Sequence, residues 1–171
     1  MILVGTSIKY GILDENRVFI DSNEIPTEAN KGGMHILNKA MDIVKEYIKE
    51  YRIDGICVST AGVVDTDKGE IIYASPTIPK YKGIKIKKAM EEAFSIPCEV
   101  ENDVNCACLA EHFGGAAKGS SVTLCLTIGT GIGGGIIIND EVFHGFSGSA
   151  CEVGYMHLFD SSFEKLDLLA L

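Results

Sequence analysis

Three short stretches carry groups able to handle a phosphorylated ligand. Between Leu126 and Ile136, five glycines fall within seven positions, at 129, 131, 133, 134 and 135, with Thr130 among them and apolar runs on both sides. Backbone without side chains lets a ligand approach closely, and successive N–H groups in a tight turn form a nest for phosphate oxygens. A hairpin turn with a β-bulge is the plainer alternative. No GxGxxG opens a helix here and no Gly-Lys-Ser/Thr follows, so neither the dinucleotide fingerprint nor the P-loop is matched. A second glycine turn, Gly5 to Gly11, sets Thr6, Ser7 and Lys9 at a β-hairpin where a terminal phosphate could be held. An ordinary turn has the same composition.

The third stretch, Glu101 to Asn105, follows an apolar strand and precedes a helix, which places its carboxylates and amides at the carboxyl end of a strand, where α/β ligands bind. Helix capping accounts equally for an Asn-Asp pair. Asp103 is suited to be a general base that takes the proton from a sugar hydroxyl as it attacks phosphorus. Asn102 is suited to hydrogen-bond neighbouring hydroxyls. Further on, Glu152, Tyr155 and His157 bring a carboxylate, a phenol and an imidazole close in sequence. His157 reads as a surface or capping histidine, with no second ligand one helical turn away. Cys106 and Cys108 stand two apart on a predicted helix and diverge, so no metal site is expected.

The elements that must position these groups alternate. Leu3–Ile12 and Arg17–Pro26 read as a strand pair joined by a turn at 14–16. From Gly33 to Tyr51, Ile36, Leu37, Ala40, Met41, Ile43, Val44, Tyr47 and Ile48 recur at three- and four-residue spacing, with Lys39, Asp42, Lys45, Glu46 and Lys49 between them, and predict a long amphipathic helix. Gly55–Thr60 is a short buried strand whose carboxyl end opens into the loop Ala61–Asp65. Glu70–Ala74 reads as a hairpin-like segment, Ile86–Phe94 as a helix, Pro97–Glu101 as a strand and Cys106–Phe113 as a helix with Leu109 and Ala110 inward. Gly114–Gly119 is the candidate hinge, and strands are expected around Leu124 and Ile136. The class is α/β with a mixed sheet, since strand pairs precede the first helix.

Composition bounds the rest. The 171 residues are 46% hydrophobic and 23% charged, enough for a sizeable core and against global disorder. A formal charge of −9 repels nucleic acid and anionic membranes, and the densest cationic run, Lys80–Lys88, alternates with apolar residues as a solvated strand or turn would. Neither partner is expected. The start carries no charged-then-apolar leader and glycines interrupt the apolar stretch 122–138, which predicts a cytoplasmic protein without a membrane span. The six cysteines show no CxxC spacing and read as small buried hydrophobes in a reducing compartment.

In order and spacing, Gly5–Lys9, Ser59–Asp65, Glu101–Asn105, Gly129–Gly135 and Glu152–Tyr155 resemble the ROK family of bacterial sugar kinases and related repressors, over nearly the whole chain. The resemblance implies an actin-like ATPase fold of the ribonuclease H-like type, with residues 1–115 as the N-terminal lobe, 116–171 as the beginning of the second, and ligands in the cleft between lobes. It implies transfer of the γ-phosphoryl of ATP, with Mg2+, to a hydroxyl of a hexose or N-acetylhexosamine. Asp103 matches the catalytic base. Asn102, Glu152 and Tyr155 match the sugar-contacting group, and Gly62 and Ser75 match positions lining the sugar pocket. Gly5, Thr6 and Lys9, and Thr130 with Gly131, match the phosphate turns.

The chain departs from the pattern in three ways. Where members carry an aspartate and two glycines before the first threonine, it has Ile2, Leu3, Val4 and Gly5. Tyr155 replaces the usual histidine, and the cysteine-rich zinc motif is missing, as in the subgroup without zinc. Members are nearly twice as long, so the chain reads as truncated, with apolar surface that favours a homo-oligomer. The alternative is a non-catalytic sugar-binding or regulatory remnant. The repressor branch is less expected, because its helix-turn-helix would precede the first strand.

Overall fold

A computed structural model describes residues 1–129 and 131–156, with backbone only at Tyr155. Thr130, the side chain of Tyr155, His157 and the stretch 158–171 lie outside the described residues. Compact packing divides the chain after Asp103.

The first unit is built on a five-stranded mixed sheet in the order β3-β2-β1-β4-β7. Strands β1 (Ile2–Leu3), β2 (Ser7–Leu13) and β3 (Phe19–Pro26) run antiparallel, whereas β4 (Ile56–Thr60) and β7 (Cys98–Asn102) extend the sheet in parallel from β1. The expected strand over Leu3–Ile12 is two strands: the chain turns at Val4–Thr6, so that Ile2 and Leu3 pair back onto Lys9 and Ile8. The β2–β3 turn follows the sequence closely, with the Asp14 carboxylate accepting the backbone N–H groups of Asn16 and Val18.

Helix α1 (Gly33–Glu50) matches the predicted amphipathic helix and buries Ile36, Leu37, Ala40, Ile43 and Val44. One continuous cluster joins these to Leu3, Ile8 and Val58 of the sheet and to Ile71, Ile78, Tyr81, Ile86 and Met90 of the β4–β7 connection. That connection holds the small ladder β5 (Val63–Asp65) with β6 (Glu70–Tyr73) and helix α2 (Ile86–Phe94). The run Lys80–Lys88 is therefore not simply surface. Its lysines face outward or lie half-buried while Tyr81, Ile84 and Ile86 enter the core.

The second unit comprises helix α3 (Asp103–Gly114), from Val104 on, and an antiparallel sheet in which β8 (Val122–Ile128) and β10 (Glu141–Val142) flank β9 (Ile132–Ile138). Packing thus groups most of α3 with these strands, while the expected lobe boundary at 115/116 lies after the helix. Cys108 and His112 turn inward from α3; Ala110, expected inside, is exposed because the buried face runs along 104, 108 and 112 instead. Among the cysteines Cys98 and Cys108 are buried, Cys57 is exposed on β4, and all six are free thiols. Burial pushes the Cys98 thiol up to about 12, which keeps it protonated and inert. Among the described residues no helix is long and apolar enough to cross a membrane.

Candidate functional site

In the first unit the parallel strands end in one row. Leu3 of β1, Thr60 of β4 and Asn102 of β7 are register partners, so the turn 4–6, the loop 61–62 and the 102–103 junction all leave the sheet at the same end. Parallel strands put their carboxyl ends together, and that edge is where α/β folds bind ligands. The structure therefore brings Gly5, Thr6, Gly62, Asn102 and Asp103 together in the first unit, from separate parts of the sequence.

Local chemistry fixes the loop. Gly62 has φ of 99°, and a Cβ there would lie 2.5 Å from the Tyr73 carbonyl oxygen, so both the backbone and the space call for glycine. The same close approach sets Ala74 beside Gly62, and the exposed Ser75 follows it in the chain. The Asn102 side chain donates through Nδ2 to the Gly62 carbonyl at 2.9 Å, which ties the end of β7 to this loop. Asp103 opens α3 as its first residue. Thr6 is exposed and its carbonyl accepts the Thr27 N–H, while the Thr27 hydroxyl donates to the Val4 carbonyl. Lys9 stands further into β2, paired in register with Ile2 and Glu24, and so belongs to the strand rather than the turn. Gly5 has open space where a Cβ would stand.

Behind this edge lies a hydroxyl pair that the motifs did not single out. Tyr81 is 1% exposed, and its phenol is 2.5 Å from Oγ1 of the fully buried Thr60. Burial, with the Asp103 carboxylate adding to it, pushes the phenol up to about 12, so it remains protonated. Tyr81 was hidden in a lysine-rich run, and only its apolar neighbours Ile78 and Ile84 signalled burial.

In the second unit the glycine turn joins β8 to β9, and the Gly129 N–H donates to the Gly131 carbonyl across the undescribed Thr130. A concavity of about 350 Å³ is lined by Val104, Thr127, Ile128, Gly129, Gly131, Ile132 and Gly133. Backbone amides and one threonine hydroxyl are a donor set that suits phosphate oxygens. Two later glycines serve packing: a Cβ at Gly134 would meet the Cys151 carbonyl at 2.5 Å, and one at Gly154 the Ile132 carbonyl at 2.5 Å. These contacts lay the segment 151–154, with the exposed Glu152, on β9, the strand that Gly131 precedes. Tyr155 is described only in backbone, within the 3₁₀ turn Val153–Tyr155.

With the fold and these groups in place, the class is defined: the mixed sheet with its crossover helix is the first lobe of the actin-like ATPase fold. The family model "ROK family" matches residues 3–164, and the chain belongs to the ROK family. It is 57% identical over 152 residues to an uncharacterized protein of Clostridium perfringens, covering 89% of this chain and 52% of that one. It is 33% identical over 157 residues to a glucokinase of Halalkalibacterium halodurans, covering 89% and 47%. A ROK family glucokinase from Streptomyces griseus, solved with glucose and AMPPNP, superposes with a TM-score of 0.80 at 29% identity, over 92% of this chain and 49% of that one. The chain spans about half the length of the curated relatives it matches.

Proposed function

We propose that this chain carries the sugar-binding and base-bearing part of an ATP-dependent kinase that phosphorylates a hexose or an N-acetylhexosamine. The observation that carries this is the common edge at which Gly62, Asn102 and Asp103 leave the sheet, in a family whose relatives include a glucokinase and a glucose complex. ATP supplies the phosphoryl group. Asp103 accepts the proton of the sugar hydroxyl as its oxygen bonds to the γ-phosphorus, and the bond from phosphorus to the bridging oxygen breaks to release ADP. Asn102, Glu152 and Tyr155 orient sugar hydroxyls, with Gly62 and Ser75 lining the pocket. The backbone at Gly5, Thr6, Thr130 and Gly131, with Lys9, holds phosphate oxygens. Magnesium accompanies ATP in this reading, but the first turn offers Ile2, Leu3 and Val4 in place of a carboxylate, so the chain makes no metal seat there and no step runs through the ion. A sugar, and a second copy of the chain, are the proposed partners, in the cytoplasm.

A coupled ADP-release assay on the 171-residue chain, with glucose, N-acetylglucosamine, N-acetylmannosamine and a β-glucoside, tests this. Sugar-dependent release that Asp103→Asn lowers by about 10²–10⁴-fold is the expected result. Release that survives the substitution removes Asp103 from the chemistry. The missing acidic residue of the first turn favours a second reading, a sugar-binding remnant. Sugar-dependent stabilisation without ADP release selects it.

A further inference from the structure

The turn Ala61–Gly62 is held by two side-chain donors acting on successive carbonyls. Asn102 Nδ2 donates to the Gly62 carbonyl at 2.9 Å, and Thr60 Oγ1 donates to the Ala61 carbonyl at 3.3 Å. Thr60 Oγ1 also stands 2.5 Å from the Tyr81 phenol, inside a core that excludes water: Thr60 is 0% and Tyr81 1% exposed. With Thr60 donating forward to Ala61, the bond between the two hydroxyls runs from the Tyr81 O–H to Thr60 Oγ1. The result is a relay from Tyr81 through Thr60 to Ala61, one residue before the carbonyl that Asn102 grips. Buried relays of this kind fix geometry because each hydroxyl has one satisfied arrangement and an unmade bond there is costly.

Tyr81 is itself anchored independently of the site. Gly33, the first residue of α1, packs so closely on it that a Cβ would meet the Tyr81 Cα and ring at 2.8 Å, and the Gly33 N–H donates to the Pro79 carbonyl at 2.9 Å. The Tyr81 carbonyl accepts the Ile84 N–H. The ring is thus fixed to the head of α1 and to the core, while its hydroxyl reaches the end of β4.

We infer that Tyr81 is a positioning residue: through Thr60 it sets the Ala61–Gly62 turn and thereby the orientation of the Asn102 side-chain amide. This rests on the sugar-kinase reading for its consequence, the placing of a sugar hydroxyl, but not for the positioning itself.

The experiment is two-dimensional ¹H–¹⁵N NMR of the full 171-residue chain, following the Asn102 side-chain NH₂ signals, assigned by their loss in Asn102→Asp. Hydrogen exchange of that amide is compared in wild type, Tyr81→Phe, Thr60→Val and Thr60→Ser. Val44→Ala, a core truncation on α1 away from the turn, controls for general loss of stability. Faster Asn102 exchange by about tenfold in Tyr81→Phe and Thr60→Val is expected, with Thr60→Ser close to wild type because it keeps the hydroxyl. Val44→Ala is expected to lower the melting temperature without moving the Asn102 signals. Unchanged Asn102 exchange in Tyr81→Phe, or the same acceleration in Val44→Ala, overturns the inference. Calorimetric titration with glucose and N-acetylglucosamine separates the two readings. Weaker binding in Tyr81→Phe by several-fold carries the positioning into sugar recognition. Faster Asn102 exchange in Tyr81→Phe, where the wild-type chain binds neither sugar, sustains the positioning and overturns the kinase reading alone.

Discussion

The two units solve the burial problem differently. In the first, the buried cluster runs without interruption from Leu3 to Val100 and takes in both sheet and helices. In the second, Cys108 and Ile137 are the buried apolar residues among those described, and one face of β8 is open: Val122, Leu124, Leu126 and Ile128 are each more than half exposed, Ile128 by 83%. Alternation along β8 explains the asymmetry, since Thr123, Cys125 and Thr127 take the other, more covered face. The first unit stabilises itself through its core, whereas the hairpin of the second relies on its ladder and on the narrow face of α3 formed by Val104, Cys108 and His112.

The sharpest test of that contrast is a pair of apolar truncations. Ile71→Ala in the first unit, at 0% exposure, should cost about 2–5 kcal/mol, through lost burial and the cavity left behind. Leu124→Ser on the open face of β8 removes an exposed apolar side chain, and should change stability by less than about 0.5 kcal/mol and reduce self-association. Urea unfolding and light scattering measure both. A cost for Leu124→Ser comparable to Ile71→Ala would show that this face is covered in solution.

The next largest effect separates glycines that are needed from glycines that are available. Gly62→Ala forces a side chain onto a φ of 99° and against the Tyr73 carbonyl, and should cost about 1–3 kcal/mol. Gly5→Ala meets nothing within 4 Å and should leave stability within about 0.5 kcal/mol of wild type. A nucleotide effect of Gly5→Ala at unchanged stability would mark the first turn as a phosphate contact. Thermal unfolding with and without ATP reads both.

Within the second unit, His112 adds a polar link between α3 and the strands to the contacts that Val104 and Cys108 make with Gly133 and Gly135. It is buried, with Nδ1 at 2.8 Å from Thr123 Oγ1 and Nε2 at 2.8 Å from the Asp140 carboxylate. His112→Leu should cost about 1–3 kcal/mol, because the Thr123 hydroxyl is left buried without its partner. Adding Thr123→Val should recover part of that loss, since the unpaired hydroxyl then disappears. No recovery in the double variant would place the cost in packing rather than in the hydrogen bonds.

What was legible in the sequence follows from range. The α1 stripe, the β4 strand with its loop, the Asn102–Asp103 junction and the glycine hairpin are each encoded within a dozen residues, and periodicity or turn chemistry finds them. The row Leu3–Thr60–Asn102 is not, because register across parallel strands joins residues with no local relation. The split of Leu3–Ile12 has a related reason: composition places a glycine turn over Gly5–Gly11 but not its extent, and only pairing shows that the reversal is confined to Val4–Thr6 while Ser7–Leu13 is strand. Tyr81 was masked by its lysine neighbours, whose charge dominated the run. Cys57 was expected inside because β4 is apolar, yet it alternates outward between Ile56 and Val58.

The smallest expected effect is electrostatic and belongs to the surface of the first unit. Glu28, in the left-handed region at φ of 57°, is ringed by Lys31, Lys39 and His35, with Lys39 Nζ and His35 Nε2 each at 3.0 Å from its Oε2. The bond from Lys31 foremost, then those from Lys39 and His35, hold its carboxyl down at about 2, below the ordinary 4.5. A depressed folded-state pKa means that the unfolded chain takes up the proton first. The stabilisation is therefore fully present above about 4.5 and fades as the pH falls towards 2. Because the group is only half-buried and reaches solvent, water and salt screen the cluster, so the effect ranks below the buried changes. Urea unfolding of wild type and Glu28→Gln at pH 6, 4, 3 and 2.5 should show a stability gap that narrows as the pH falls. Added salt at pH 6 should narrow it as well. A gap that stays constant from pH 6 to 2.5 would assign it to the backbone conformation at residue 28, and the difference between the units would then owe nothing to this ion cluster.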